Sequence, residues 1–324
     1  MAFPNISDIL TTTIEKRSRK IADNVTNNNA ILTRLNQRGK IKTFSGGHKI
    51  YEELSFAENA NAGWYTGYDI LPTGVADVLS AAEYSIKQAA VPCTISGLEM
   101  LQNAGPEQMI DLMEARMEVA ESSLANLLVG GLYSDGTGSG GKEVDGLNTM
   151  VPLDPTAASY GAIDGATYTF WQNYVKDSGD TTTIIADWND VWANLVRGQD
   201  RPDLIMADGV AWLAYVGALQ SDQRFTNTNK ADAGFVTIKF MDADVVLDGG
   251  IYNGTVTAGV QTGTAYFLNT KYMKYRPHAR RNMVPLSPNR RYATNQDAEV
   301  QIVAWAGNLT CAGRMFQGRW DGNA

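Results

Sequence analysis

Residues Gly136 to Glu143 read GTGSGGKE, one residue away from a phosphate-binding loop. The pattern G-x-x-x-x-G-K-[ST] uses its last hydroxyl to hold magnesium and the helix that follows to face the phosphates. Gly136, Gly141 and Lys142 fall in register, but Glu143 stands where the hydroxyl belongs, and its carboxylate would repel phosphate oxygens. A helical pattern ending LANLLVGGLYSDG precedes the loop where a strand is needed, and EVDGLNTMVPLDP follows it with Gly146, Pro152 and Pro155. The stretch reads as a flexible Gly/Ser turn, and nucleotide hydrolysis is set aside.

Other candidates for chemistry fail on spacing. The two histidines, His48 and His278, form no H-x-x-x-H pair, and Cys93 and Cys311 form no C-x-x-C, so zinc is not expected. DADVVLDGG, Asp242 to Gly250, resembles a calcium loop, but Val246 occupies its fifth position and the terminal Glu is absent. No G-x-S-x-G occurs. Glu52-Glu53 reads as a pair of surface carboxylates. The sequence therefore predicts no catalytic residue, metal or cofactor. Two cysteines are too few for a disulfide framework and suit a reducing cytoplasm as buried thiols.

Other roles depend on charge and on the elements. The chain has 324 residues and a net charge of −8, unevenly spread. Residues 1–50 hold nine Lys and Arg against three acids, and residues 271–324 hold the same, so the middle is strongly acidic. Such segregation predicts a face that meets polyanions or acidic neighbours. No apolar run approaches the roughly 20 residues of a membrane span, and the N-terminus lacks a secretory h-region.

Ile6, Leu10, Ile14, Ile21, Val25, Leu32 and Leu35 form a helical stripe, weakened at Asn27 to Asn29. It predicts either a helical arm or a helix packed on the core. Phe44 to Gly74 changes to aromatic and β-branched residues between turn formers, which predicts a long extended hairpin. Such a hairpin would expose Trp64, Tyr65 and Tyr68, and it is marginal unless its own core or another subunit covers it. AAEYSIKQAAVPCTISGLEML reads as a strand with Pro92 at an edge or a break. Pro106 opens the clearest helix, predicted to end at Gly130-Gly131. Helices at Trp188–Val196 and Val210–Leu219 flank a short strand at Leu204–Met206. GFVTIKFMDADVVLDGG, GTAYFLNTKYMKYRP and the start of AEVQIVAWAGNLTCAGRMFQGRW read as strands. This order predicts an α/β insertion within an α+β framework.

The order of elements resembles the tailed-bacteriophage major capsid proteins, with the Hong Kong 97-type shell fold, over nearly the whole chain. KEVDGLNTM after the long helix and AWAGNLTCAGRMFQG near the C-terminus are the most family-like strings. The resemblance implies an N-terminal arm at 1–42, an extended loop at 43–79 and a peripheral domain at 80–143 with its spine helix at 106–129. An axial domain at 144–269 and C-terminal peripheral strands at 270–324 complete it. It implies hexamers and pentamers in an icosahedral shell around double-stranded DNA, assembled in the host cytoplasm. A separate scaffolding protein, a portal and decoration proteins would be partners. Trp64, Tyr65 and Tyr68 would contact a neighbouring subunit, and Arg17, Arg19 and Lys20 would face DNA or an acidic partner. Gly136, Gly138, Gly140 and Gly141 would form a hinge. Some members join an extended-loop Lys to a neighbour's Asn; Ile50 to Ile86 contains no Lys, so no such cross-link is expected. An encapsulin-like compartment of the same fold, an enzyme built from distant residues and a surface adhesin are the competing readings.

Overall fold

The structure is a computed structural model that describes residues 30–71, 73–102, 106–156, 159–221, 237–248, 250–252, 255–257, 259–286, 291–292 and 298–322. Arg17, Arg19 and Lys20 lie outside the described residues. The described chain opens with helix α1 (Ala30–Gln37), whose Ile31, Leu32 and Leu35 are buried in the core.

Strands β1 (Lys49–Ser55) and β2 (Leu79–Ser85) form an antiparallel ribbon with Lys49 opposite Ser85 and Ser55 opposite Leu79. The hairpin therefore begins later than the expected Phe44 and ends beyond the expected Gly74, its return strand being Leu79–Ser85. Asn59, Asn61, Gly63, Gly67 and Gly74 favour turns over a ladder, so the ribbon opens into an irregular tip. The single strand expected next is two. After Ile86 the chain leaves the ribbon and enters β3 (Lys87–Ser96) in a different sheet.

Helix α2 (Gly97–Gln102) starts with a capping box: Ser96 N–H donates to Glu99 Oε2 at 3.1 Å, and Glu99 N–H donates to Ser96 Oγ at 3.3 Å. Arg116 donates to both Glu99 oxygens, at 3.0 and 2.5 Å, and to the Thr94 carbonyl at 2.7 Å. Arg116 sits on α3 (Pro106–Tyr133), so the contact ties the long helix to the turn after β3. The guanidinium, with help from the Ser96 N–H, holds the Glu99 carboxyl at about 2, below its ordinary 4.5. Because the folded group is the stronger acid, its stabilisation is complete above about pH 4.5 and is lost as pH falls through about 2. Thermal melts of the wild type and Arg116→Leu should therefore differ at pH 6 and converge on acidification. A difference unchanged at pH 2 would contradict this.

The long helix has 28 residues, about 42 Å at 1.5 Å per residue. It continues through Gly130-Gly131, where it was expected to end, because Leu132 and Tyr133 still have core to bury into. Met117, Ala120, Leu124 and Leu128 form its buried stripe, while Val119 and Leu127 are exposed.

Two helices cover a mixed six-stranded sheet: α4 (Ile184–Leu195) and α5 (Gly209–Ser221). Its strands are β4 (Tyr174–Lys176), β5 (Leu204–Ala207), β6 (Thr237–Phe240), β7 (Ala243–Leu247), β8 (Thr264–Leu268) and, after four intervening strands, Gly318–Asp321. The sequences LIMA and TAYFL are buried throughout because the sheet is covered on both faces. Ile205, Ala207 and Phe267 meet Trp188 and Tyr215 of the helices, whereas Leu204, Met206 and Tyr266 meet the core that holds α1.

The second sheet is organised by β10 (Ala298–Cys311), which follows β9 (Met273–Pro277). β3 pairs along one side of β10; β9, Val284–Pro285 and Arg291–Tyr292 pair in turn along the other. Pro92 therefore lies on an edge strand, where its missing N–H costs no ladder bond. Strand β11 (Gly318–Asp321) then crosses to the six-stranded sheet, between β4 and β8. Segment 270–324 thus contributes to both sheets and does not stay with one.

Cys93 lies opposite Gln301 of β10, and Cys311 ends the same strand, so they sit roughly 30 Å apart at about 3.3 Å per residue. A disulfide needs α-carbons within about 7 Å. Burial pushes the Cys311 thiol up to about 12. Because the thiolate is the reactive form, Cys311 should resist alkylation in the native protein, and both thiols should react after unfolding in guanidinium. Mass spectrometry of native protein showing Cys311 labelled, or the two cysteines bridged, would overturn this.

Candidate assembly surface

The ribbon is fastened at its root and bare at its tip. Along β1, Ile50, Glu52 and Leu54 point inward and Tyr51 and Glu53 outward. Glu52, expected at the surface, is 2% exposed. Its Oε1 accepts from Arg276 Nη1 at 2.8 Å and Thr310 Oγ1 at 3.1 Å, and its Oε2 pairs with Lys274 Nζ. These partners sit side by side because Lys274 lies opposite Thr310 in the β9–β10 ladder. A buried carboxylate is tolerable when it is paired and hydrogen-bonded.

The second root anchor is Tyr84 of β2. Its hydroxyl donates to the Cys311 carbonyl at 2.7 Å and accepts from the Cys311 N–H at 3.3 Å. Its ring meets Tyr160 edge-on at 5.1 Å, and burial pushes its pKa well above the ordinary value. Root and core are thereby one packed unit.

From Ala57 to Leu79 the picture reverses. Trp64, Tyr68, Ile70 and Val75 are fully exposed, and Tyr65, Leu71 and Leu79 are largely so. The hydrogen bonds found there stay within the loop: Ala62 N–H to the Asn59 carbonyl, Thr66 N–H to Asp69 Oδ2 at 2.8 Å, and Asn61 Nδ2 to the Gly74 carbonyl at 2.5 Å. The tip is folded on itself and covered by no described part of its own chain. Scattered exposed apolar residues are ordinary, but a contiguous set on a projecting loop marks an interaction site.

The glycine loop follows α3, and Ser139, Gly136, Gly140 and Gly141 all have positive φ. At Gly138 a Cβ would fall within 2.5 Å of the Glu143 carboxylate. Lys87 Nζ donates to the Gly141 carbonyl at 2.7 Å, which ties the loop to the start of β3. Lys142 and Glu143, near-matches to the phosphate motif, are exposed and half-buried respectively. Among the described residues no cluster of His, Cys, Asp or Glu could hold a metal ion, and no helix is long and apolar enough to cross a membrane.

No protein-family model matches the sequence, and no curated protein matches it. Solved structures do. The cyanophage A-1(L) capsid subunit aligns over 88% of this chain and 90% of its own, with a TM-score of 0.64 and 12% sequence identity. The capsid of the native GTA particle aligns over 89% of both chains, with a TM-score of 0.54 and 10% identity. The SrpI encapsulin complex of Synechococcus elongatus PCC 7942 aligns over 90% of this chain and 88% of its own, with a TM-score of 0.53 and 10% identity. The α+β fold expected from the order of elements is thus the fold of the chain: it is the Hong Kong 97-type shell fold that phage capsid subunits adopt.

Proposed function

We propose that this chain is the major capsid protein of a tailed double-stranded DNA phage. It would assemble as hexamers and pentamers into an icosahedral shell around the genome, with no catalytic activity of its own. The observation that carries this reading is the projecting loop, whose Trp64, Tyr65 and Tyr68 are left to solvent by their own subunit. A shell supplies the missing cover by spreading modest contacts, on the order of 1,000 Å² or more each, over several neighbours.

In this reading residues 1–42 form the arm, and Arg17, Arg19 and Lys20 face the DNA or an acidic partner. Residues 43–79 form the extended loop. The peripheral domain comprises 80–143 and most of the C-terminal segment, and the axial domain 144–269 is joined by β11. Gly136, Gly138, Gly140 and Gly141 lie at the junction of the two domains, where the positive φ of Gly136, Gly140 and Gly141 allows a change of backbone direction. Scaffolding, portal and decoration proteins act as separate partners.

Expression of the full chain, followed by sedimentation and negative-stain imaging, tests the reading: closed shells support it, and a stable monomer rejects it. Denaturing electrophoresis of those shells should show single subunits and no covalent ladder, since Ile50 to Ile86 offers no Lys. An encapsulin-like compartment is the second reading, favoured by a structural likeness to SrpI close to that of the GTA capsid. Protein cargo in place of nucleic acid inside native particles would select it.

A further inference from the structure

The extended loop has a one-sided charge. Between Ile50 and Ile86 it carries six carboxylates and no Lys, Arg or His. Two are matched within the subunit: Glu52 by Lys274 and Arg276, and Glu83 by Lys49 at 2.5 Å. The other four, Glu53, Glu58, Asp69 and Asp77, are exposed and form no ion pair with any described residue. Glu58, Asp69 and Asp77 are interspersed with the uncovered rings and aliphatic side chains of the tip, and Glu53 lies on the outward face of β1.

The opposite charge collects where residues 38–44 run beside β9. Tyr275 N–H donates to the Lys40 carbonyl, and Lys42 N–H donates to the Tyr275 carbonyl, which fixes this segment to the strand. Partial burial, then the fields of Lys274, Lys42, Arg38 and Lys271, lower the pKa of Lys40. Arg38, Lys271 and Lys274 each have a carboxylate partner, in Asp203, Asp200 and Glu52. Lys40 and Lys42 have none among the described residues. Half-buried Ile41 and Phe44 lie beside them as apolar neighbours. The surface is partly apolar, and Lys40 and Lys42 leave it with unmatched positive charge.

We propose that the acidic, aromatic loop tip of one copy docks on the Arg38–Lys40–Lys42 surface of the next copy. This rests on the shell reading above and names the contact that holds neighbours in order. The two surfaces differ, so the contact is heterologous and can close a ring. Opposite charges fix its orientation and speed encounter, while buried rings supply affinity. Duplex DNA would neutralise the same lysines, but it would leave the loop's acids and rings uncovered.

Charge reversal tests this. Lys40→Glu with Lys42→Glu, and separately Asp69→Lys with Asp77→Lys, should each cut the yield of closed shells at least tenfold. Combining all four should recover a large part of that yield. The neutral pair Lys40→Gln with Lys42→Gln provides a milder version, and circular dichroism with thermal melts checks that every subunit folds. The proposal is overturned if the lysine variants build shells normally, or if the combined variant folds but assembles no better than its parents. It is also overturned if the lysine variants assemble but fail to retain duplex DNA, since the patch would then serve nucleic acid. If the wild type forms no shell, the shell reading falls as well; indifferent variants of a shell-forming wild type sink only the docking.

Discussion

Replacing Trp64 with Ala should leave the subunit as stable as before and reduce shell formation by more than tenfold. The first half follows from exposure. The indole is fully solvated in the subunit, so its removal takes away no packing, and surface substitutions of this kind stay within about 0.5 kcal/mol. The second half follows from burial against a neighbour. Covering a large aromatic side chain contributes about 1.5–3 kcal/mol, and Trp and Tyr dominate the energetics of such interfaces. A loss of about 2 kcal/mol weakens one contact roughly thirtyfold, and a closed shell repeats that contact in every subunit. Trp64→Phe should retain most of the activity, and Trp64→Ala with Tyr68→Ala should abolish it. Sedimentation and imaging read the shells, and calorimetry reads the subunit. Normal shells from the double variant would remove the tip from the interface. A large drop in subunit Tm would mean instead that the tip packs on its own chain.

Much of this architecture is legible in local pattern. The buried strands LIMA and TAYFL, the helix α5 and the start of α3 at Pro106 sit where composition and periodicity place them, and α4 begins at Ile184, one turn before the expected Trp188. The exposed tip is legible too, because rings set among Asn and Gly cannot belong to a buried ladder. The end of α3 lies beyond the expected Gly130-Gly131 because two glycines are a weak stop signal when Leu132 and Tyr133 gain burial beyond them. The capping box at Ser96 and Glu99 is written in SGLE as an S-x-x-E pattern, but it directly abuts the alternating residues of β3 and so has no turn residue to set it apart. The cationic surface has no local signature at all. Lys40 and Lys42 are brought to Lys271 and Lys274 only by the pairing of residues 40–44 with β9 and the residues just after it, across more than two hundred residues of sequence.

Glu52 shows the same limit and leads to the larger stability effect. Its place between Ile50 and Leu54 on one strand face was a readable sign that it points inward, but its partners Lys274 and Arg276 lie 222 and 224 residues away. Glu52→Ala should destabilise the subunit by about 2–3 kcal/mol. Breaking a buried pair costs about 3–5 kcal/mol when the stranded charge has no water. Here the Lys274 and Arg276 side chains keep 26% and 19% exposure, so hydration recovers part of the loss. At about 2–4 °C per kcal/mol for a chain of this size class, Tm should fall by roughly 5–10 °C. Glu52→Gln keeps an acceptor for Thr310 and should lose about half as much. Lys274→Met on the Glu52→Ala background should cost less than on the wild type, because the carboxylate it served is already gone. The effect should also reach assembly: an unfastened root lets the ribbon swing, so a tip with every ring intact would meet its neighbour at the wrong angle. Melts of the Glu52→Ala subunit within 1 °C of the wild type would show that the root is held by its apolar neighbours alone.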